Sequence, residues 1–153
     1  MEQFYLKNIE LFHYRKFEDT AYQLNPRMNV FIGKNASGKT TVLEAVTVIL
    51  GAYLAAFKEY VPSRFSQNIS DNDVLKKSLK PVKNIAITPS IQQFPCKISS
   101  DLMWDRKMKK CVRILEKEGG RTRFAGKNPM REDVEKWEKA IKAADGSDAE
   151  QIY

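Results

Sequence analysis

Eight consecutive residues, Gly33-Lys34-Asn35-Ala36-Ser37-Gly38-Lys39-Thr40, satisfy G-x-x-x-x-G-K-[ST] at every position. The chemistry such a run supports is capture of a phosphate chain. Gly33 and Gly38 let the backbone turn without a Cβ clash, so that loop N–H groups converge on phosphate oxygens. Lys39 is then placed to reach the β- and γ-phosphates of a nucleoside triphosphate, and the Thr40 hydroxyl to hold the Mg²⁺ that bridges them. Lys34, Asn35, Ala36, Ser37 and Thr41 complete the candidate nucleotide-binding set, with Asn35, Ser37 and Thr41 as secondary contacts. ATP and Mg²⁺ are the expected ligands.

The pattern works only when a strand leads into it and a helix leads out. Met28 to Ile32 is a short apolar run with β-branched and aromatic residues, which predicts a buried strand ending at Gly33. From Lys39 the period becomes helical: Val42, Leu43, Ala45, Val46, Ile49, Leu50, Tyr53 and Leu54 fill most of a circumference. A helix this apolar is expected to pack on several sides, and its N-terminus adds positive partial charge to the loop. Gly51 weakens it by roughly 1 kcal/mol relative to Ala, which allows it to bend or thin there without stopping.

Upstream, Phe4 to Tyr14 and Phe17 to Leu24 read as strands, followed by the turn Asn25-Pro26-Arg27. A β pattern over residues 4–32 ahead of the phosphate loop argues against a small nucleotide kinase, in which the loop comes almost at once. Downstream, Lys58 to Gln93 is the least patterned stretch; within it Asp71 to Leu79 is expected to form a short helix capped by Ser70 or Asp71. Phe94 to Trp104 and Lys110 to Lys117 predict a hairpin around Asp105-Arg106-Lys107, closed by Gly119-Gly120. Asn128-Pro129 predicts an N-cap and a first helical residue, with Val134, Trp137, Ile141 and Ala144 on one face of a helix running to Ala144.

The stretch LKNIELFHYRKFEDTAYQLNPRMNVFIGKNASGKTTVLEAV resembles the N-terminal lobe of the SMC/RecF/OLD group of ABC-type ATPases, covering about residues 4–50. That group opens with L-x-N-F-R-x-F, a second strand, and N-hhh-G-x-N-x-S-G-K-[ST]-x-L-h-x-A. Tyr14-Arg15-Lys16-Phe17 fills the F-R-x-F slot, and Asn29, Asn35, Ser37, Leu43, Glu44 and Ala45 fall in place. ISDNDV, FPCKISSDLMWDRKM and EKEGGRTR further resemble the ATP-binding family that includes PtuA-like ATPases of Septu and retron antiphage defence. Two departures stand out: His13 replaces an Asn, and Ala36 a common Gly. A left-handed φ at Ala36 would be strained by its Cβ.

The resemblance implies a P-loop α/β fold of ABC/SMC type: a mixed sheet with an antiparallel β subdomain before the phosphate loop. It implies a nucleotide-gated dimer, with each ATP held by one protomer and completed by a signature serine of the other, controlling a nuclease or other effector. It also implies that Arg15 approaches the phosphates; the residues alone equally allow Arg15 to cap strand carbonyls or pair with Glu18 or Asp19. The acidic pair and signature loop such catalysis needs are not legible. No apolar strand ends in Asp-Glu, no Leu-Ser-x-Gly occurs, and Asp73, Asp101 and Asp105 lie in polar surroundings. Residues 1–153 are therefore expected to be a partial, N-terminal ATP-binding lobe that continues into a C-terminal lobe carrying those motifs. An ATPase is expected of the whole, and almost no hydrolysis of this part by itself.

Composition agrees with one globular unit, at 42% hydrophobic residues and a net charge of +7. Val42 to Phe57, the longest apolar stretch, is broken by Glu44 and Thr47 and falls short of the roughly 20 residues a membrane span needs. The start lacks the pattern of a signal peptide, which makes the cytoplasm the expected location and a membrane partner unexpected. Cys96 and Cys111 are expected to be reduced, half-buried thiols, and the sole histidine, His13, structural. The excess charge concentrates in Arg106 to Arg131, which carries ten Lys/Arg and two acids and is a candidate nucleic-acid contact. Two further readings compete with the ATPase: an assembly module in which nucleotide is a structural ligand and hydrolysis incidental, and a small phosphotransferase. The second lacks a legible acceptor-site base.

Overall fold

A computed structural model describes residues 4–57, 62, 66–80, 83–84 and 89–149. Its centre is one antiparallel sheet with two helices. In chain order the elements are β1 (Phe4–Leu6), β2 (Asn8–Tyr14), β3 (Phe17–Gln23), α1 (Lys39–Leu54), β4 (Lys76–Ser78), β5 (Ser90–Gln92), β6 (Cys96–Trp104), β7 (Lys107–Leu115), β8 (Arg123–Phe124) and α2 (Arg131–Ala149). A single 3₁₀ turn, Asp71–Asp73, precedes β4. The main sheet runs β3-β2-β6-β7-β8, with β1 beside β2 along β6, and β4 and β5 pair separately. All strand pairings among the described residues are antiparallel, so the expected mixed sheet is not what these strands form.

Alternation along β2, β6 and β7 builds the core. Ile9 and Leu11, Cys96, Ile98 and Leu102, and Cys111 and Leu115 are buried on one face, against Val42, Ala45, Val48, Ile49 and Ala52 of α1. Between β1 and β2 the chain bends at Lys7, and the side chain of Asn8 clips the bend to β6. Its Nδ2 donates to Asp101 Oδ2 at 2.9 Å, and its Oδ1 accepts the Asp101 N–H at 2.7 Å. The β6–β7 turn is the two residues Asp105 and Arg106, both with positive φ (43° and 61°), so β7 begins at Lys107, three residues before its expected start. Two positive φ values match the twist of the flanking strands better than a longer polar loop does.

The opening strands and α1 lie where the pattern predicts. Three expectations do not hold. Met28 to Ile32 is neither a strand nor buried: Met28, Val30 and Ile32 are 75%, 70% and 91% exposed, and no described segment pairs with them. An apolar run becomes a buried strand only when neighbouring strands supply its ladder. Asp71 to Leu79 is not a helix; after the 3₁₀ turn, with Ser70 as its N-cap, the chain extends into β4. Val74 is captured instead by the bridge Tyr14↔Val74, and tertiary pairing outweighs the weak local helix signal. In α2, Val134 is buried and Trp137 half-buried, but Ile141 and Ala144 are exposed.

α1 runs through Gly51 without interruption. A Cβ there would lie 2.9 Å from the Gln67 backbone nitrogen, so the missing side chain is where the 66–67 segment crosses the helix. Asn128 works at both helices: its Oδ1 accepts the Met130 N–H at 3.0 Å, and its Nδ2 donates to the α1 carbonyl of Ala52 at 2.9 Å. The helix starts at Arg131, two residues after Pro129, and extends past Ala144 to Ala149. No helix among the described residues is long and apolar enough to cross a membrane.

Candidate nucleotide site

The loop from Gly33 to Gly38 delivers the chain to α1, which begins at Lys39. Ser37 donates its N–H to the Lys34 carbonyl at 3.1 Å, making a tight turn, and two left-handed residues follow from it: Ala36 at φ 62° and Gly38 at φ 100°. The strain expected at Ala36 is thus realised. A Cβ at Gly33 would sit 2.6 Å from Ser37 Oγ, so a larger residue there would displace the Ser37 side chain. Gly38, the N-cap of α1, supplies no side-chain cap, and the first turn carries no acid. The initial N–H groups of α1 are therefore left to an outside acceptor, which at a helix N-terminus favours an anion.

Lys39 folds back over this loop. Its ammonium donates to the carbonyls of Gly33 at 2.6 Å and Lys34 at 2.8 Å, and lies 3.4 Å from Ser37 Oγ. It enters none of the ion pairs among the described residues, so its charge is held by neutral acceptors alone. Lys34, Asn35, Ala36 and Ser37 are exposed, Thr40 is exposed at the start of the helix, and Thr41 is buried. The Thr41 side chain thus faces the core. These residues fit a triphosphate with a bridging Mg²⁺: an uncapped helix end, an unneutralised ammonium and an exposed Thr40 hydroxyl meet at one loop. A bound Mg²⁺ would supply charge neutralisation at the phosphates.

The corner between β2 and β3 borders the loop. Arg15 and Lys16 form its two-residue turn, with Arg15 at φ 51°. The Arg15 guanidinium pairs with Asp73 and, across to α1, with Glu44, one helical turn beyond Thr40; neither Glu18 nor Asp19 is its partner. Burial works to lower its pKa, but the hydrogen bond to Asp73 and the charges of Asp73 and Glu44 hold it above its ordinary value. Glu18 is taken by Lys77, whose hydrogen bond pulls its carboxyl below the ordinary range. Lys16 was not among the expected site residues. Its Nζ donates to the Ala36 carbonyl at 2.6 Å, and only the spatial neighbourhood of the two turns identifies it.

The basic segment does not form one track. Alternation along β7 sends Lys109 and Lys110 to opposite faces, where they pair with Asp133 and Glu10. Arg123 pairs with Glu116 and Arg131 with Glu135. Arg113 is 3% exposed, bonded to Asn68 Oδ1 at 2.6 Å and stacked over Phe124; burial lowers its pKa. Arg106, Lys107, Lys117, Arg121 and Lys127 enter no ion pair among the described residues, and lie at the two ends of the hairpin and in the loops after it. His13 Nδ1 lies 3.2 Å from the Pro95 carbonyl, a structural contact.

A phosphate loop that opens directly into a helix, with the loop lysine turned onto its own carbonyls, fits a P-loop nucleotide-binding domain. The AAA ATPase domain family model matches residues 5–144, and the chain belongs to that family. Part of the chain is also similar to curated DNA repair proteins. It is 50% identical over 42 residues to the DNA replication and repair protein RecF of Streptococcus agalactiae serotype Ia, 28% of this chain and 11% of that protein. The same protein of Ligilactobacillus salivarius is 49% identical over 45 residues (29% and 12%), and that of Clostridium perfringens strain 13 is 50% identical over 42 residues (28% and 12%). The matched stretch is thus 11–12% of the length of these relatives.

Proposed function

We propose that this chain is the ATP-binding N-terminal lobe of a dimeric SMC/RecF-like ATPase. The observation that carries the reading is the Lys39 ammonium, held only by neutral loop acceptors at the uncapped start of α1. A triphosphate offers that ammonium and those N–H groups far stronger acceptors than neutral carbonyls. In this reading Gly33 to Thr41 cradle the phosphates, Lys39 neutralises the β- and γ-phosphates, and Thr40 holds Mg²⁺. Arg15 joins the phosphates by releasing Glu44, the more exposed of its two carboxylates.

The uncovered run Met28, Val30 and Ile32 supports a lobe that continues. Its alternate apolar side chains, exposed and paired with no described strand, suit a place between further strands, beside a groove lined by Phe31, Leu43, Val46 and Leu50. Those strands would carry the acidic pair, and the second protomer the signature serine, so that hydrolysis belongs to the whole assembly. The whole protein would use the nucleotide cycle to control a nuclease or other effector, in DNA processing or, following the PtuA-like pieces, antiphage defence. Nucleic acid would meet the unpaired cations of Arg106 to Arg131.

The test is nucleotide binding by Lys39→Ala. The substitution is expected to remove ATP binding without lowering thermal stability, because it deletes a half-buried side chain whose ammonium bonds only its own loop. Unchanged ATP affinity in that variant sinks the reading.

A further inference from the structure

We propose that Lys16 is a positioning residue of the nucleotide site, clamping the phosphate loop in a conformation that Ala36 by itself disfavours. The inference rests on the nucleotide reading of the loop and adds a residue outside the phosphate-loop motif. Ala36 sits at φ 62°, where a Cβ crowds the neighbouring carbonyl and glycine is the favoured residue. The carbonyl of that same residue receives the Lys16 ammonium at 2.6 Å, a charge-assisted bond of the stronger kind. A trans peptide fixes the next N–H opposite its carbonyl, so holding the Ala36 oxygen sets the plane of the Ala36–Ser37 peptide.

Lys16 can act as a clamp because its own backbone is held. It follows Arg15, whose N–H donates to the Asp73 carbonyl at 2.5 Å and whose Nε bonds Asp73 Oδ1 at 2.9 Å. Its stem runs along the site Gly38 leaves open: a Cβ on Gly38 would lie 2.5 Å from Lys16 Cε and 2.7 Å from Phe17 Cζ. Neither Lys16 nor Lys39 forms an ion pair among the described residues, so no carboxylate competes for the clamp. The β2–β3 turn and the loop are thereby one unit, and the bond offsets the strain of carrying alanine at position 36.

The experiment compares Lys16→Ala, Ala36→Gly and their combination by titration with ATP, on the full chain, beside Lys39→Ala. Lys16→Ala is expected to weaken ATP binding about tenfold, the loss of one charge-assisted bond. Ala36→Gly should bind at least as well as the parent, and the double variant should recover to within about threefold of it, since glycine takes the left-handed conformation unaided. Parent-like binding by Lys16→Ala overturns the clamp. A double variant as weak as Lys16→Ala also overturns it, by showing that the lysine acts through its charge. Amide exchange over residues 33–41 without nucleotide gives a second readout: faster exchange in Lys16→Ala supports the clamp, and unchanged exchange overturns it. Should the parent fail to bind ATP, or Lys39→Ala bind like the parent, the nucleotide reading falls while the exchange comparison still decides the clamp.

Discussion

Arg15 holds Asp73 at two points, through its backbone N–H to the carbonyl at 2.5 Å and through its Nε to Oδ1 at 2.9 Å. This double attachment fastens the β2–β3 corner to the 3₁₀ turn 58 residues later. Asp73 in turn accepts the Ser70 N–H at 2.9 Å and the Ser70 hydroxyl at 2.8 Å, so one carboxylate caps its own turn and anchors the hairpin next to the phosphate loop.

Arg15→Ala should therefore destabilise the fold. Asp73 is 13% exposed and would lose its cation, whereas the arginine side chain is 37% exposed and its pairs are partly screened by solvent. The expected cost is about 1–3 kcal/mol, below that of a fully buried pair. Urea unfolding of parent and variant measures it, and a midpoint unchanged with the same slope would show that the corner is held by its backbone alone.

Gly38→Ala should damage both stability and nucleotide binding. The new Cβ meets Lys16 Cε at 2.5 Å and Phe17 Cζ at 2.7 Å, on a backbone at φ 100° that an L side chain rarely adopts. Backbone strain of this kind costs about 1–3 kcal/mol. Calorimetry should show a lowered melting temperature in the ligand-free protein, and titration a loss of ATP affinity larger than for Lys16→Ala.

How much of this was legible in the sequence differs by element. The turn from Gly33 to Gly38 into α1 was, because its residues make their own geometry: two glycines, a lysine and a hydroxyl fall within eight positions. The opening strands and α1 were, because their apolar periods are long. Met28 to Ile32 was not, since whether an apolar run is a buried strand depends on what lies beside it. Asp71 to Leu79 was misread because Tyr14, sixty residues upstream, pairs with Val74. The Arg106 to Arg131 charge looked continuous along the chain, yet a strand's period of two sends neighbouring lysines to opposite faces. Lys16 could not be found at all without the turn that brings it to Ala36.

Gly51→Ala tests a position where helix propensity and packing disagree. In an exposed helix interior this change stabilises by up to about 1 kcal/mol. Here the added Cβ lies 2.9 Å from the Gln67 nitrogen and 3.2 Å from its oxygen, backbone atoms that cannot rotate away. Overpacking of about 1–3 kcal/mol should outweigh the propensity gain, giving net destabilisation in urea. A stabilised variant would mean that the 66–67 segment moves off α1 at little cost.

The two thiols set a limit on the alkaline side. Burial pushes Cys96 up to about 12, helped by the charge of Asp73, and Cys111 up to about 11 against the opposing charge of Arg113, both from an ordinary 9.0. Burial also raises the Tyr14 hydroxyl, again with Asp73 adding to it. A proton held more tightly in the folded state stabilises fully while the unfolded thiol is also protonated, below about 9, and that stability is lost as pH rises toward 11–12. Unfolding free energy should thus fall with increasing pH from about 9 upward, and Cys96→Ala/Cys111→Ala should remove the thiol part of the slope and leave the part due to Tyr14. At neutral pH both thiols are protonated and fully buried, so an aromatic disulfide reagent should label them only after denaturant is added. Native labelling as fast as in denaturant would place one thiol at the surface and remove the basis of the pH slope.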